Sequence, residues 1–113
     1  MSYKVEVLPN FAKSAKRLAK KYPSLKGELS ELFASLSENP RQGALIRTDI
    51  HKIRLAIASR GKGKSGGGRV ITYVISDEMT VVLLSIYDKS EMSDISDEVL
   101  VALYEEAMER DTE

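Results

Sequence analysis

The chain has 113 residues, 42% hydrophobic and 30% charged, which suits one globular domain over residues 1–113 and excludes broad disorder. It has no cysteine, which excludes disulfides, thiolate metal sites and a cysteine nucleophile. No stretch has the length and apolarity of a signal peptide or a transmembrane helix, so a cytoplasmic protein with no membrane partner is expected. The formal net charge of zero is unevenly distributed. Residues 1–75 hold 15 Lys and Arg against 5 Asp and Glu, and residues 76–113 hold 2 against 12. A basic part of this kind points to a polyanion partner, although two halves that fold together and neutralise each other give the same count.

Tyr3 to Leu8 alternates as a short strand, with Tyr3, Val5 and Val7 on one side. Pro9 ends it, and Asn10 is the expected cap of a helix in which Phe11, Ala15, Leu18, Ala19 and Tyr22 recur at helical spacing. Pro23 stops that helix. Ser24 is the expected cap of a second, with Leu25, Leu29, Leu32, Phe33 and Leu36 as its apolar stripe and Asn39-Pro40 as its end. The short link implies a helical hairpin. Residues 41–50 read as a connection. His51 to Ala58 reads as a strand that places Ile53, Leu55 and Ile57 on one face and Lys52 and Arg54 on the other.

Between Arg60 and Arg69 lies a loop that holds five of the seven glycines. Val70 to Ile75 and Thr80 to Tyr87 follow as strands apolar on both faces, and so central and buried. Asp88 to Ile95 is polar and irregular. Ser96 caps a last helix, whose stripe is Leu100, Leu103, Tyr104 and Ala107. The connections between the last three strands are too short for crossover helices, so these strands are antiparallel. The expected fold is α+β, a small antiparallel sheet with an N-terminal helical hairpin and a C-terminal helix.

Gly63-Lys64-Ser65 matches the end of a phosphate-binding P-loop. That motif needs a glycine where Ala58 stands and a helix where further glycines and a strand follow, which excludes nucleotide binding of that kind. Lys52 and Arg54 share a strand face, Arg60 opens the loop, Lys62 and Lys64 lie on it, Arg69 begins the returning strand, and Lys89 follows Tyr87. Gathered at one end of the sheet, these cations would bind an RNA backbone in a salt-dependent way. A solvated basic face with a core tyrosine accounts for the same residues equally well. Lys13, Lys16, Arg17 and Lys20 form a second basic surface on the first helix, either an ordinary solvated face or a contact for RNA phosphates.

One histidine, His51, and scattered carboxylates offer no metal-ligand spacing. His51 is read as structural, and neither metal nor cofactor is expected. Cations alone suffice for RNA cleavage in principle, because RNA carries its own nucleophile, the 2′-hydroxyl. An arginine grips the phosphate with two donors. A lysine crowded by other cations loses its proton more readily, and a tyrosine or charged lysine donates one.

Lys52-Ile-Arg54, Gly61-Lys-Gly-Lys-Ser-Gly-Gly-Gly-Arg69-Val-Ile-Thr-Tyr73 and Leu84-Ser-Ile-Tyr87-Asp-Lys89-Ser-Glu91-Met-Ser-Asp94-Ile together resemble the HigB branch of the RelE toxin superfamily. The resemblance implies a toxin that cleaves messenger RNA in the ribosomal A site and is neutralised by a cognate antitoxin. It implies that Arg69 holds the scissile phosphate, with Lys64, Tyr87 and Lys89 as further catalytic residues. Lys52, Arg54, Arg60, Lys62 and the cations of the first helix are then RNA-binding. The RelE branch itself carries its catalytic tyrosine where this chain has Ser96, and arginines where it has Ser90 and Met92, so acid and base roles do not transfer. The alternatives on the same fold are an inhibitor of gyrase of the ParE type, which cuts nothing, and an RNA-binding protein without cleavage.

Overall fold

The computed structural model describes residues 2–60 and 67–110. The described elements run β1 (Lys4–Val7), α1 (Pro9–Lys21), α2 (Leu25–Glu38), β2 (Ala44–Arg47), β3 (Ile50–Leu55), β4 (Gly68–Ile75), β5 (Thr80–Asp88) and α3 (Asp97–Glu109). The strands form one sheet in the order β1-β5-β4-β3-β2. The expected α+β class stands, with β3, β4 and β5 antiparallel. β1 differs from the rest, since it pairs parallel to β5. The helical hairpin carries the chain from β1 at one edge of the sheet to β2 at the other.

β2 corrects the reading of residues 41–50 as a connection. It is an edge strand of four residues, bulged between Leu45 and Arg47 and largely solvent-facing, so its sequence lacks the apolar alternation of a half-buried strand. The entry to β2 needs Gly43, whose φ is 84° and where a Cβ would lie 2.3 Å from the Lys52 carbonyl oxygen. One expected cap is corrected, and Ser24 stands at the N-cap of α2 as expected. α1 starts at Pro9, whose missing N–H costs nothing at that position, and Asn10 donates instead to the Leu84 carbonyl. Ser24 makes no cap bond to its helix and is shared between Glu28 and Ser59. Ser96 caps α3, accepting from the Val99 N–H at 3.3 Å.

Each sheet face has its own apolar core. The hairpin of α1 and α2 covers the first, where Phe11, Leu18, Leu25 and Leu36 pack on Ile53, Val70, Val74 and Leu83. α3 covers the second, where Leu100, Leu103 and Ala107 pack with Ile50, Ile71, Tyr73 and Leu84. Leu18 is fully buried. Leu18→Ala is expected to cost about 2–5 kcal/mol, whereas the exposed Lys13→Ala changes stability by no more than about 0.5 kcal/mol. Urea unfolding of the two variants measures this directly.

α3 lies over only part of the second face. Strand register places Arg54, Arg69 and Tyr87 in one row across β3, β4 and β5. A bulge makes this row possible. Ile71 pairs with Ser85 but Thr72 pairs with Leu83, so β5 carries one extra residue. The shift in alternation lets Tyr87 share a face with Val82 and Leu84.

Candidate RNA-binding groove

The end of the sheet left open by α3 is a groove of about 760 Å³ lined by Gln42, Gly43, Lys52, Arg54, Arg69 and Lys89, among others. β3 supplies Lys52 and Arg54 from alternate positions, β4 supplies Arg69 opposite Arg54, and Lys89 follows the end of β5. The junction is tight, since the Lys89 N–H donates to the Gly67 carbonyl at 3.1 Å. Only glycine fits at position 67, because a Cβ would lie 2.3 Å from the Leu55 carbonyl oxygen.

Arg69 is 5% exposed and donates from Nη1 to the Gly68 carbonyl at 3.1 Å. Arg54 and Lys89 are exposed. Lys52 donates to Asp94 at 3.1 Å. Tyr87 is 4% exposed and packs in the core beneath α3; its hydroxyl donates to the same Asp94 oxygen at 3.3 Å. Burial and the Asp94 carboxylate together push the Tyr87 hydroxyl up to about 12. It therefore keeps its proton at neutral pH and serves as a donor, never as a base. Asp94 is itself held below the usual carboxylate range, first by the hydrogen bond from Lys52.

The structure thus brings together Lys52, Arg54, Arg69 and Lys89, with Tyr87 just beneath. The other sequence-predicted residues that the structure describes lie elsewhere. Arg60 does not line the groove. It forms an ion pair with the fully buried Asp88 at 3.3 Å, and its own side chain is nearly buried. Asp88 also accepts from the Tyr22 hydroxyl at 2.5 Å and from the Ser90 hydroxyl at 2.9 Å. Lys62 and Lys64 lie outside the described residues. On α1, Arg17 pairs with Glu91 at 3.1 Å, and Lys13, Lys16 and Lys20 are exposed. His51 is buried on the face opposite the groove cations. Burial lowers its pKa, the Arg41 charge adds to this, and Asp49 partly offsets it. It stays neutral at physiological pH, consistent with a structural role.

Sequence reasoning missed Asp94 as part of this site and Asp88 as the buried partner of Arg60. Their signal was the run of carboxylates after β5, which reads equally well as helix-start charge. Among the described residues, no cluster of three His, Cys, Asp or Glu side chains could hold a metal, and no helix is long and apolar enough to cross a membrane. A second cleft of about 560 Å³, between the β2–β3 turn and α3, is lined by Arg47, Asp49, Tyr73 and Tyr104 and, among the described residues, gathers none of the sequence-predicted cations.

No protein-family model matches the chain. Solved structures do. A mutant of the E. coli toxin RelE in its free state superposes with a TM-score of 0.63 at 19% identity, covering 94% of this chain and 98% of that one. A RelE mutant in complex with a peptide of its antitoxin gives 0.60 at 22% identity, covering 98% and 99%. The RelBE2 toxin–antitoxin complex from Mycobacterium tuberculosis gives 0.57 at 18% identity, covering 78% and 92%. With five strands, a helical hairpin and a C-terminal helix matched over nearly its whole length, the chain has the fold of the RelE toxins.

Proposed function

We propose that the chain is the toxin of a toxin–antitoxin pair and that it cleaves messenger RNA on the ribosome without a metal ion. The observation that carries this reading is the open end of the sheet. Four cations from three separate parts of the chain line one groove there, with a tyrosine that keeps its proton. A phosphodiester in that groove meets Arg69 and Arg54, whose fixed charge and paired donors stabilise the extra negative charge that builds on phosphorus. The RNA 2′-oxygen attacks phosphorus, its proton passes to a base, and the bond to the 5′-oxygen breaks as that oxygen gains a proton. The products are a 2′,3′-cyclic phosphate and a free 5′-hydroxyl. The first proton passes to solvent water in the open groove, where Lys89 contributes positive charge, and the Tyr87 hydroxyl is the donor for the second. Lys64 and Lys62, next to this end of β4 in sequence, add to the cation count.

These acids and bases are weak, so exact placement of the substrate must supply much of the rate. That requirement favours RNA presented by the ribosome over free RNA. The antitoxin partner is supported by the shared fold, because the E. coli and M. tuberculosis proteins were solved with antitoxins. One observation favours a second reading, a gyrase inhibitor that cuts nothing. Tyr87 is buried, and its hydroxyl is already bonded to Asp94.

Induced expression in bacteria separates the two. The proposal predicts that protein synthesis stops within minutes while plasmid supercoiling stays normal, and that co-expressed antitoxin restores growth. Loss of supercoiling with synthesis initially intact would replace it with the gyrase reading.

A further inference from the structure

The segment from Asp88 to Asp97, which joins β5 to α3, carries a carboxylate at every third position: Asp88, Glu91, Asp94 and Asp97. Each pairs with cations from a different part of the fold. Asp88 pairs with Arg60 at 3.3 Å, Glu91 with Arg17 and Lys21 of α1 at 3.1 and 3.5 Å, Asp94 with Lys52 of β3 at 3.1 Å, and Asp97 with Arg47 of β2 at 3.2 Å. Burial divides the four. The Asp88 side chain is wholly buried, whereas those of Glu91, Asp94 and Asp97 are 35%, 61% and 85% exposed. The first pair is an anchor inside the protein. The other three are surface pairs in high dielectric, which contribute little to stability and are easily exchanged.

We infer that residues 89–97 form an acidic strap whose carboxylates Glu91, Asp94 and Asp97 occupy the cations that an RNA backbone would otherwise hold, so that binding requires phosphates to replace them. The inference rests on the RNA reading above and adds its regulation. Asp94 is the key member. A single one of its oxygens accepts from both Lys52 Nζ and the Tyr87 hydroxyl. A phosphate oxygen taking its place gains both donors at once, and the tyrosine proton is then directed at the substrate. The strap borders the groove through Ser93, so its displacement also widens the entrance. Arg17, Lys21 and Arg47 become free at the same step and extend the basic surface beyond the groove. One phosphate cannot replace three carboxylates whose cation partners lie on α1, β3 and β2. The strap therefore selects for a ligand that presents several phosphates together.

The test is the affinity of the full chain for a 2′-O-methyl RNA oligonucleotide, which cannot be cleaved because its nucleophile is blocked. Binding is measured by fluorescence anisotropy at low salt. The variant Glu91→Gln/Asp94→Asn/Asp97→Asn is compared with Glu105→Gln/Glu106→Gln/Glu109→Gln, which makes the same change in net charge on exposed positions of α3. The strap variant is expected to bind about tenfold more tightly than the unmodified chain, and the α3 variant within about twofold of it. Should the triple strap variant fail to fold by circular dichroism, Asp94→Asn alone carries the test, with about threefold tightening expected. Equal effects of the two triple variants, or weaker binding by the strap variant, would overturn the strap. If the oligonucleotide binds the unmodified chain and Arg54→Ala abolishes that binding, such a result strikes the strap and leaves the RNA reading standing. Absence of binding by every protein overturns both.

Discussion

Arg69→Ala is expected to lower messenger RNA cleavage by about 100-fold or more, the scale on which a single donor to a developing oxyanion acts, and to abolish growth arrest. Arg69 lies between Arg54 and Tyr87 in the row across the sheet. It is the groove cation with the least freedom, because its side chain is buried against the strand that carries it. Its guanidinium is therefore already in place when the phosphate arrives, and no reorganisation is needed. Alanine at this position leaves a gap that opens to the groove and fills with water, so the sheet is expected to persist. Arg69→Lys keeps the charge but loses the paired donors, and its activity should fall between the two. Initial rates of cleavage, together with circular dichroism and antitoxin binding, check the prediction. A folded Arg69→Ala protein of undiminished activity would remove Arg69 from the site.

Asp88→Ala is expected to cost about 3–5 kcal/mol of stability. The substitution leaves the Arg60 guanidinium nearly buried without its counter-charge and takes the acceptor from Tyr22 and Ser90. Several degrees of melting temperature are lost per kcal/mol in a domain of this size, so thermal unfolding should shift by roughly 10 °C or more. The same pair predicts a pH dependence. Burial alone would raise the Asp88 carboxyl, but the hydrogen bonds from Tyr22 and Ser90 and the Arg60 charge outweigh it and hold the group below its ordinary value of 3.8. A carboxyl depressed in the folded state contributes stability that is fully present above the unfolded value. That contribution is lost as pH falls below about 4 through the folded value. The unmodified chain should lose stability through that window more steeply than Asp88→Ala does. Equal melting temperatures for the two proteins at pH 7 would contradict the anchoring role.

Much of this fold was legible in the sequence because apolar spacing carried it. The stripes of the three helices, the doubly apolar β4 and β5, and the alternation of Lys52 and Arg54 with Ile53 each have one simple packing solution. β2 was not legible, because an edge strand whose Leu45 is 64% exposed leaves no burial pattern to read. The bulge in β5 was hidden for another reason. On a strand apolar on both faces, a slip of one residue changes no residue type, yet it decides that Tyr87 faces Arg69. In the site, the convergence of Lys52, Arg54, Arg69 and Lys89 followed from the antiparallel order of β3, β4 and β5. The position of Arg60 did not follow, since a cation at the root of a Gly-Lys loop reads as part of that loop. Its partner Asp88 reads as one more polar residue after a strand. Pairings between distant segments, like those of the strap, leave no local signature at all.

The central claim is ribosome-dependent cleavage, and a paired assay tests it most directly. A defined messenger RNA is incubated with the purified chain, with and without translating ribosomes, and the ends are mapped. Cuts that require ribosomes, fall in register with the A site and leave 2′,3′-cyclic phosphate ends are the predicted result. Intact RNA in both reactions, from a protein that still arrests growth, would contradict the claim and make the cation groove a binding surface alone.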